Sequence, residues 1–396
     1  MSSPSNNTIP DTSYLDSLRG QVPEDDLNKL RDYASKKLYH QLTVECLSVV
    51  RNDEAWPLGG KTKEEFWNKF VDQFSSKMNT VVMLELLDQV AESMPAADGL
   101  KLTEKYGELV GKSSKDAQVA YDSQKAIALV RAGDMKQARD ILDTVEGHLE
   151  DIDWSYGIDP AARSSYHRAA AFMYQEKNDP PSFYRESMRY LLYTPLAAIP
   201  EKERGPLAFK IAVAALISPK EFSYGDLLQQ PLFSEFLPTC EQYAWIMDFV
   251  KALHDGVFAK FDQAVVDHKA KWEAVPELKR AMQFDLKHKM SLSAMMEMAF
   301  QRPKKQRSSI SFVDIAKACR VNEGEVEDIF RKTMCAGLIK GSIDEVSRTV
   351  KVTWVKPRVL DMQRLELLKF RLEGWSQQST QLLQDVEELT PELLVS

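Results

Sequence analysis

The sequence predicts a mostly α-helical protein: a right-handed α-solenoid of helix pairs, then a winged helix with a small β-wing, then further helices. Three observations predict it. Residues 23–299 carry helical periodicity almost throughout, in segments parted by short breaks holding Gly, Pro, Asn or Asp. Those breaks repeatedly separate two segments that each have an apolar face, the arrangement of TPR-like repeats. Clean apolar–polar alternation occurs in one place, "SRTVKVTWV" at 347–355.

Residues 1–22 begin "MSSPSNNTIPDTSYLDSLRG", which has no basic start followed by an apolar run. It does not read as a secretory signal, and a disordered polar tail is expected over 1–22. Residues 23–199 form the expected N-terminal solenoid. In 117–145, Ala126, Leu129 and Val130 line one face, Gly133-Asp134 interrupt, and Ala138, Ile141, Leu142 and Val145 line the next. The short Gly-containing break makes the two helices antiparallel neighbours. The same design recurs in "SSYHRAAAFMYQEKNDPPSFYRESMRYLLY", broken at 177–181. It recurs again in "YAWIMDFVKALHDGVFAKFDQAVVDHKAKW", broken at Asp255-Gly256. Residues 200–309 continue as helices and end in the basic linker "QRPKKQR", with Arg302, Lys304, Lys305 and Arg307.

Residues 310–357 form the expected winged helix. Ser311 caps a first helix with Asp314 three residues on, and Phe312, Ile315 and Cys319 share its inner face. Asn322 caps a second helix with Glu325 in the reciprocal place, and Val321 and Val326 have staple spacing. Val326, Ile329, Phe330 and Met334 give its buried face, and Gly337 ends it. In the wing, alternation places Val350, Val352 and Trp354 inward and Thr349, Lys351 and Thr353 outward. In 358–396, Met362, Leu365, Leu368, Leu372 and Trp375 form a helical stripe widened by Leu360, Leu367 and Phe370. After a polar break at "SQQST", Leu382, Val386, Leu389 and Leu393 suggest a second helix. Such apolar surface requires cover from the protein's own body or from a partner.

Composition narrows the function. Of 396 residues, 44% are hydrophobic, enough for a sizeable core, and the net charge of −8 argues against bulk attraction to nucleic acid or an anionic membrane. The apolar run near 211–217 is too short to span a bilayer. Cys46, Cys240, Cys319 and Cys335 form no CxxC pair, which suits a reduced intracellular protein using cysteines mainly as small hydrophobes. The six histidines show no HxxxH or HxH pair, so no metal or other cofactor is expected. "AWPLGGKT" and "YGELVGKSS" resemble phosphate loops, but the required glycines are Ala55 and Tyr106, and both stretches lie among helices rather than after a strand. They read as turns. No GxSxG elbow or other nucleophile signature is present, so neither enzyme activity nor a small-molecule substrate is expected.

A winged helix raises the question of DNA. Its second helix opens with Glu323, Glu325, Glu327 and Asp328, and Arg331 and Lys332 follow only later. Acids there match the helix's own positive end and repel phosphates. The basic linker is the feature that points the other way, toward nucleic-acid contact or nuclear import, against a solvated hinge. The wing has a third use, because an unpaired strand edge can pair with another chain.

Helical repeats running into this winged helix, with "LVRAGDMKQARDILD", "ALHDGVFAKFDQAV" and "ISFVDIAKACRVNEGEVEDIFRKTMCAGLIKG", resemble the PCI family, and within it the lid subunits of the proteasome regulatory particle. The resemblance implies a non-catalytic structural subunit that scaffolds lid assembly in ubiquitin-dependent proteolysis, in the cytoplasm and nucleus. It implies neighbouring PCI subunits, a deubiquitinase-containing heterodimer and a ubiquitin receptor as partners. Winged helices in such assemblies lie side by side and C-terminal helices gather in a bundle. Transferred here, the interface falls on Leu365, Leu368, Leu372, Trp375, Leu382 and Val386, with Thr349, Lys351 and Thr353 on the wing. The alternative is a PCI-type adaptor in another complex, either COP9 signalosome-like or a nucleic-acid-binding RNA-export module.

Overall fold

Apolar residues at three- and four-residue spacing wind most of the chain into helices, and a computed structural model describes residues 10–52, 56, 62–110, 114–151, 159–283, 285–303, 306–357 and 362–389. Two compact units divide at residues 218 and 219. The first holds α1 (Ser13–Asp16), α2 (Glu24–Ser35), α3 (Tyr39–Arg51), α4 (Lys63–Lys69), α5 (Thr80–Glu92) and α6 (Ala96–Lys105). It continues with α7 (Gly107–Val110), α8 (Lys115–Ala132), α9 (Met135–Asp151), α10 (Pro160–Glu176), α11 (Pro180–Tyr193) and α12 (Glu201–Ile217). The second holds α13 (Gly225–Gln229), α14 (Ile246–Asp255), α15 (Phe258–Asp267), α16 (Lys269–Glu273), α17 (Pro276–Gln283) and α18 (Asp285–Gln301). Then follow β1 (Ile310–Ser311), α19 (Phe312–Cys319), α20 (Val326–Cys335), β2 (Ile339–Asp344), β3 (Thr349–Val355) and α21 (Met362–Leu389).

The helix-pair breaks fall where the sequence puts them. Gly133 closes α8 and Gly256 closes α14, both with positive φ (90° and 68°). At Gly256 an added Cβ would also meet the Ser293 carbonyl oxygen at 2.9 Å, so only glycine turns the chain there without displacement. Asn178 makes the equivalent left-handed step between α10 and α11, with Pro180 and Pro181 opening the next helix.

The first unit has two apolar clusters. One packs Phe66, Trp67, Phe70 and Phe74 in a row of tilted and edge-on rings, with Trp67 Nε1 donating to the Tyr106 hydroxyl at 2.8 Å. The other joins α8, α9 and α10 through Ile127, Val130, Leu142, Val145 and Tyr166. Buried Asp88 is held by Arg131 at 3.1 Å and Arg168 at 2.9 Å, so its charge is compensated inside the core.

Two expectations change here. The polar tail is shorter than 1–22. Leu15, Leu18 and Val22 are buried in the first cluster, because three apolar side chains spaced at three and four suffice to anchor a short turn of helix. Residues 1–9 lie outside the described residues. The first unit also extends past 199 to 218, because α12 buries Ala208, Ile211, Ala212 and Ala215 within it.

The second unit holds the three strands seen among the described residues. They form an antiparallel sheet in the order β1-β3-β2. β1 pairs Ile310 with Val350 and Ser311 with Thr349, and β2 pairs along β3 from Ile339–Val355 to Asp344–Thr349. Phe312, Ile315, Cys319, Val326, Ile329, Phe330, Val350, Val352 and Val355 share one core with Leu292, Met295, Met296 and Ala299 of α18. The winged helix at 310–357 is therefore not a separate body from the helix before its linker.

Candidate interaction surface

Caps set the two helices of the winged helix. The Asp314 N–H donates to Ser311 Oγ at 3.2 Å, and the Asn322 N–H donates to Glu325 Oε2 at 3.2 Å in a capping box. The staple pair is half realised as core: Val326 is fully buried and Val321 is partly buried against the same cluster. Gly337, with φ 69°, turns the chain out of α20, and the Leu338 N–H donates back to Thr333 O at 3.1 Å.

Several of the cations that could meet a phosphate are engaged within the protein. Asp328 pairs with Arg331 at 2.8 Å and Lys332 at 2.6 Å, and these two contacts, Lys332 first, hold its carboxyl below the usual carboxylate range. In the basic linker, Arg302 pairs with Asp314 at 3.0 Å. Arg307 donates to the Arg302 carbonyl at 2.7 Å and to the Phe300 carbonyl at 2.8 Å. Arg320 pairs with Asp262 and lies over the Phe258 ring, 4.8 Å from its centroid. Lys304 and Lys305 lie outside the described residues. The linker arginines thus tie α18 to α19, as in a structural hinge.

The wing departs from simple alternation. Lys340 pairs with Trp354 but Gly341 pairs with Val352, so Thr353 is an extra residue on β3. This is a β-bulge, and it shifts the phase of every side chain beyond it. Trp354 is therefore turned outward, 39% exposed, with Lys340 Nζ 5.3 Å from its ring centroid, and Val355 takes the buried place. The expectation that Trp354 is core is corrected. Thr353 Oγ1 donates to the Lys340 carbonyl at 3.0 Å across the bulge. Gly341 is demanded by the same close approach: a Cβ there would sit 2.2 Å from the Lys351 carbonyl oxygen and 3.0 Å from the Phe330 ring.

Of the wing residues singled out for an interface, Lys351 and Thr353 are exposed and Thr349 is half-buried. They share the central strand, however, and the edge strands of the sheet are β1 and β2. A two-residue strand was too short for periodicity to reveal, and β1 is what moves β3 to the centre. Two further exposed apolar residues carried no signal in the sequence pattern. Val346 at the wing tip is fully exposed, and Val313 projects from α19.

Among the described residues, α21 carries the longest run of exposed large apolar side chains. Leu365, Leu368, Leu372, Trp375, Leu382 and Val386 are all exposed, as are Phe370, Leu383 and Leu389. The expected break at "SQQST" does not occur: the helix runs unbroken from Met362 to Leu389. Ser and Thr cost a helix only a few tenths of a kcal/mol each, and Gln is a good helix former, so a polar run is not a helix stop without Gly or Pro. Leu360 and Leu393 lie outside the described residues.

Among the described residues no group of His, Cys, Asp and Glu could hold a metal ion. The buried pair of His167 Nδ1 and Glu186 Oε2, 2.9 Å apart, joins α10 to α11. Burial pushes the Glu186 carboxyl up, but hydrogen bonds from His167 and Arg185 outweigh it and leave it low. Cys46 and Cys319 are buried, with the Cys319 thiol pushed up to about 12 by burial, whereas Cys335 is exposed rather than apolar packing. Residues 57–61 and 111–113, which hold the Gly-Lys steps of the two phosphate-loop lookalikes, lie outside the described residues. Thr62, the last residue of the first, caps α4, with the Glu65 N–H donating to its Oγ1 at 3.2 Å.

Known families and proteins match along nearly the whole chain. The PSD13 N-terminal repeats match residues 26–250 and the PCI domain matches 273–354. The 26S proteasome non-ATPase regulatory subunit 13 of Dictyostelium discoideum is 29% identical over 383 residues, covering 96% of this chain and 98% of that protein. Its homolog A in Arabidopsis thaliana is 26% identical, covering 97% of this chain and 99% of that one. The 26S proteasome regulatory subunit RPN9 of Saccharomyces cerevisiae is 28% identical, covering 90% of each chain.

Proposed function

Because the chain belongs to the family of the PSD13 N-terminal repeats, we propose that it is a non-catalytic structural subunit of the lid of the proteasome regulatory particle. It scaffolds lid assembly through its winged helix and α21, in ubiquitin-dependent protein degradation, in the cytoplasm and nucleus. Its partners on this reading are neighbouring PCI subunits and the deubiquitinase-containing heterodimer, with a ubiquitin receptor as a further contact.

One observation carries the reading: α21 exposes Leu365, Leu368, Leu372, Trp375, Leu382 and Val386 on a helix of 28 residues. Large apolar side chains in a row are stable only when covered, and helices from other subunits are the natural cover. Thr349, Lys351 and Thr353 then serve as polar rim contacts beside the edge strand β2.

The test is a chain truncated after Pro357 and expressed in cells in place of the full protein. It should fold and remain soluble yet fall out of purified 26S proteasomes. Full co-purification of the truncated chain would refute the assignment of α21. The nucleic-acid alternative finds no support in the engaged arginines of the linker.

A further inference from the structure

The exposed seam of α21 follows a strict repeat. Leu365, Leu368, Leu372, Trp375, Ser379, Leu382, Val386 and Leu389 are separated by alternating steps of three and four residues. That is the a/d pattern of a coiled coil sustained over four heptads, on a helix about 42 Å long. Seven of the eight positions are large and apolar, and Ser379 is the single small polar one.

We infer that α21 is self-complementary, so that the subunit outside its assembly pairs with a second copy of itself as an antiparallel coiled coil. The argument is one of size and charge. Aligned antiparallel about the point between Trp375 and Ser379, the seam sets Leu365 against Leu389 of the second copy, Leu368 against Val386 and Leu372 against Leu382. At the centre, each Trp375 meets the small Ser379 of the other chain, twice by symmetry. A parallel, in-register pair would instead crowd two tryptophans into one layer and leave two serines facing in another, an overfilled layer beside an underfilled one.

Charge selects the same direction. The sequence of 362–375 holds three basic and two acidic residues, whereas 376–389 holds three acidic and no basic ones. Antiparallel pairing lays the positive half on the negative half, and parallel pairing stacks like on like. Self-pairing hides the seam in free subunits and competes with the helices that cover it in the assembly. This rests on α21 being a docking helix, and the two readings fail separately. Loss of proteasome co-purification tests docking, and the mass of the isolated chain tests self-pairing.

The experiment is sedimentation of the purified full-length protein across a concentration series. A monomer–dimer equilibrium is expected. Ser379→Trp should weaken it about tenfold or more by overfilling both central layers, with helix content unchanged. Adding Trp375→Ser to the same chain should restore it, because the large and small partners are merely exchanged. Orientation is read from spin labels at Glu366→Cys, with exposed Cys335 and half-buried Cys240 replaced by serine. Antiparallel pairing places the two labels about 33 Å apart along the axis. A monomer at all concentrations, a dimer untouched by Ser379→Trp, failure of the exchange to restore pairing, or labels within about 20 Å would each overturn the inference.

Discussion

Phe330 and Trp354 both belong to apolar patterns in the winged helix, yet their burial differs. Phe330 is fully buried in the shared core, so Phe330→Ala should cost about 3–5 kcal/mol in denaturant unfolding. Trp354 is turned out by the bulge and keeps mainly its contact with Lys340, so Trp354→Ala should cost only about 1 kcal/mol. Equal losses at the two positions would contradict the bulge. Lys289 on α18 offers a second test. Burial holds its ammonium down to about 7, with Glu221 pulling the other way, and its Nζ lies 5.2 Å from the Tyr224 ring centroid. Its ordinary value is 10.5, so between about 7 and 10.5 the unfolded chain binds more protons and stability rises with pH. Below about 7 the cost of burying the charge is fully present. Comparing urea midpoints at pH 6 and pH 9, the difference between wild type and Lys289→Met should shift in favour of wild type at the higher pH. A constant difference would show that Lys289 keeps its proton throughout.

At the scale of elements, α21 stands apart because its described seam is exposed throughout, whereas the strands and helices of 310–355 close their own core with α18. Removal of residues 358–396 should therefore leave the thermal unfolding midpoint of the remaining chain within about 2 °C, since surface losses contribute little. A large drop would mean that α21 covers the core. The register of the wing was half legible: alternation located β3, but the phase change at Thr353 depends on Gly341 and Lys351 approaching across strands. α21 runs on through "SQQST" because helix propensity and the absence of Gly or Pro within that stretch decide, not its polarity.

For the molecule as a whole, the question is which polymers it meets. The arginines of the linker are engaged by Asp314 and by backbone carbonyls, and Asp328 pairs with both Arg331 and Lys332. The purified protein should accordingly show no sub-micromolar binding to duplex DNA or to single-stranded RNA at 50 mM salt, read by fluorescence anisotropy. Tight binding that collapses between 50 and 200 mM salt would reopen the nucleic-acid reading.

What the sequence determined by itself is local in origin. Helix pairs, their Gly and Pro breaks, the caps at Ser311 and Asn322, and the apolar stripe from Leu365 are properties of neighbouring residues. Tertiary structure alone decided the rest. Leu15 and Leu18 became core because other helices came to cover them. The boundary moved to 218 because α12 found its neighbours in the first unit. Trp354 left the core and β3 became central because distant strands met at Gly341 and at Ile310. Burial and strand pairing are set by partners far away in the chain, and no window of sequence contains them.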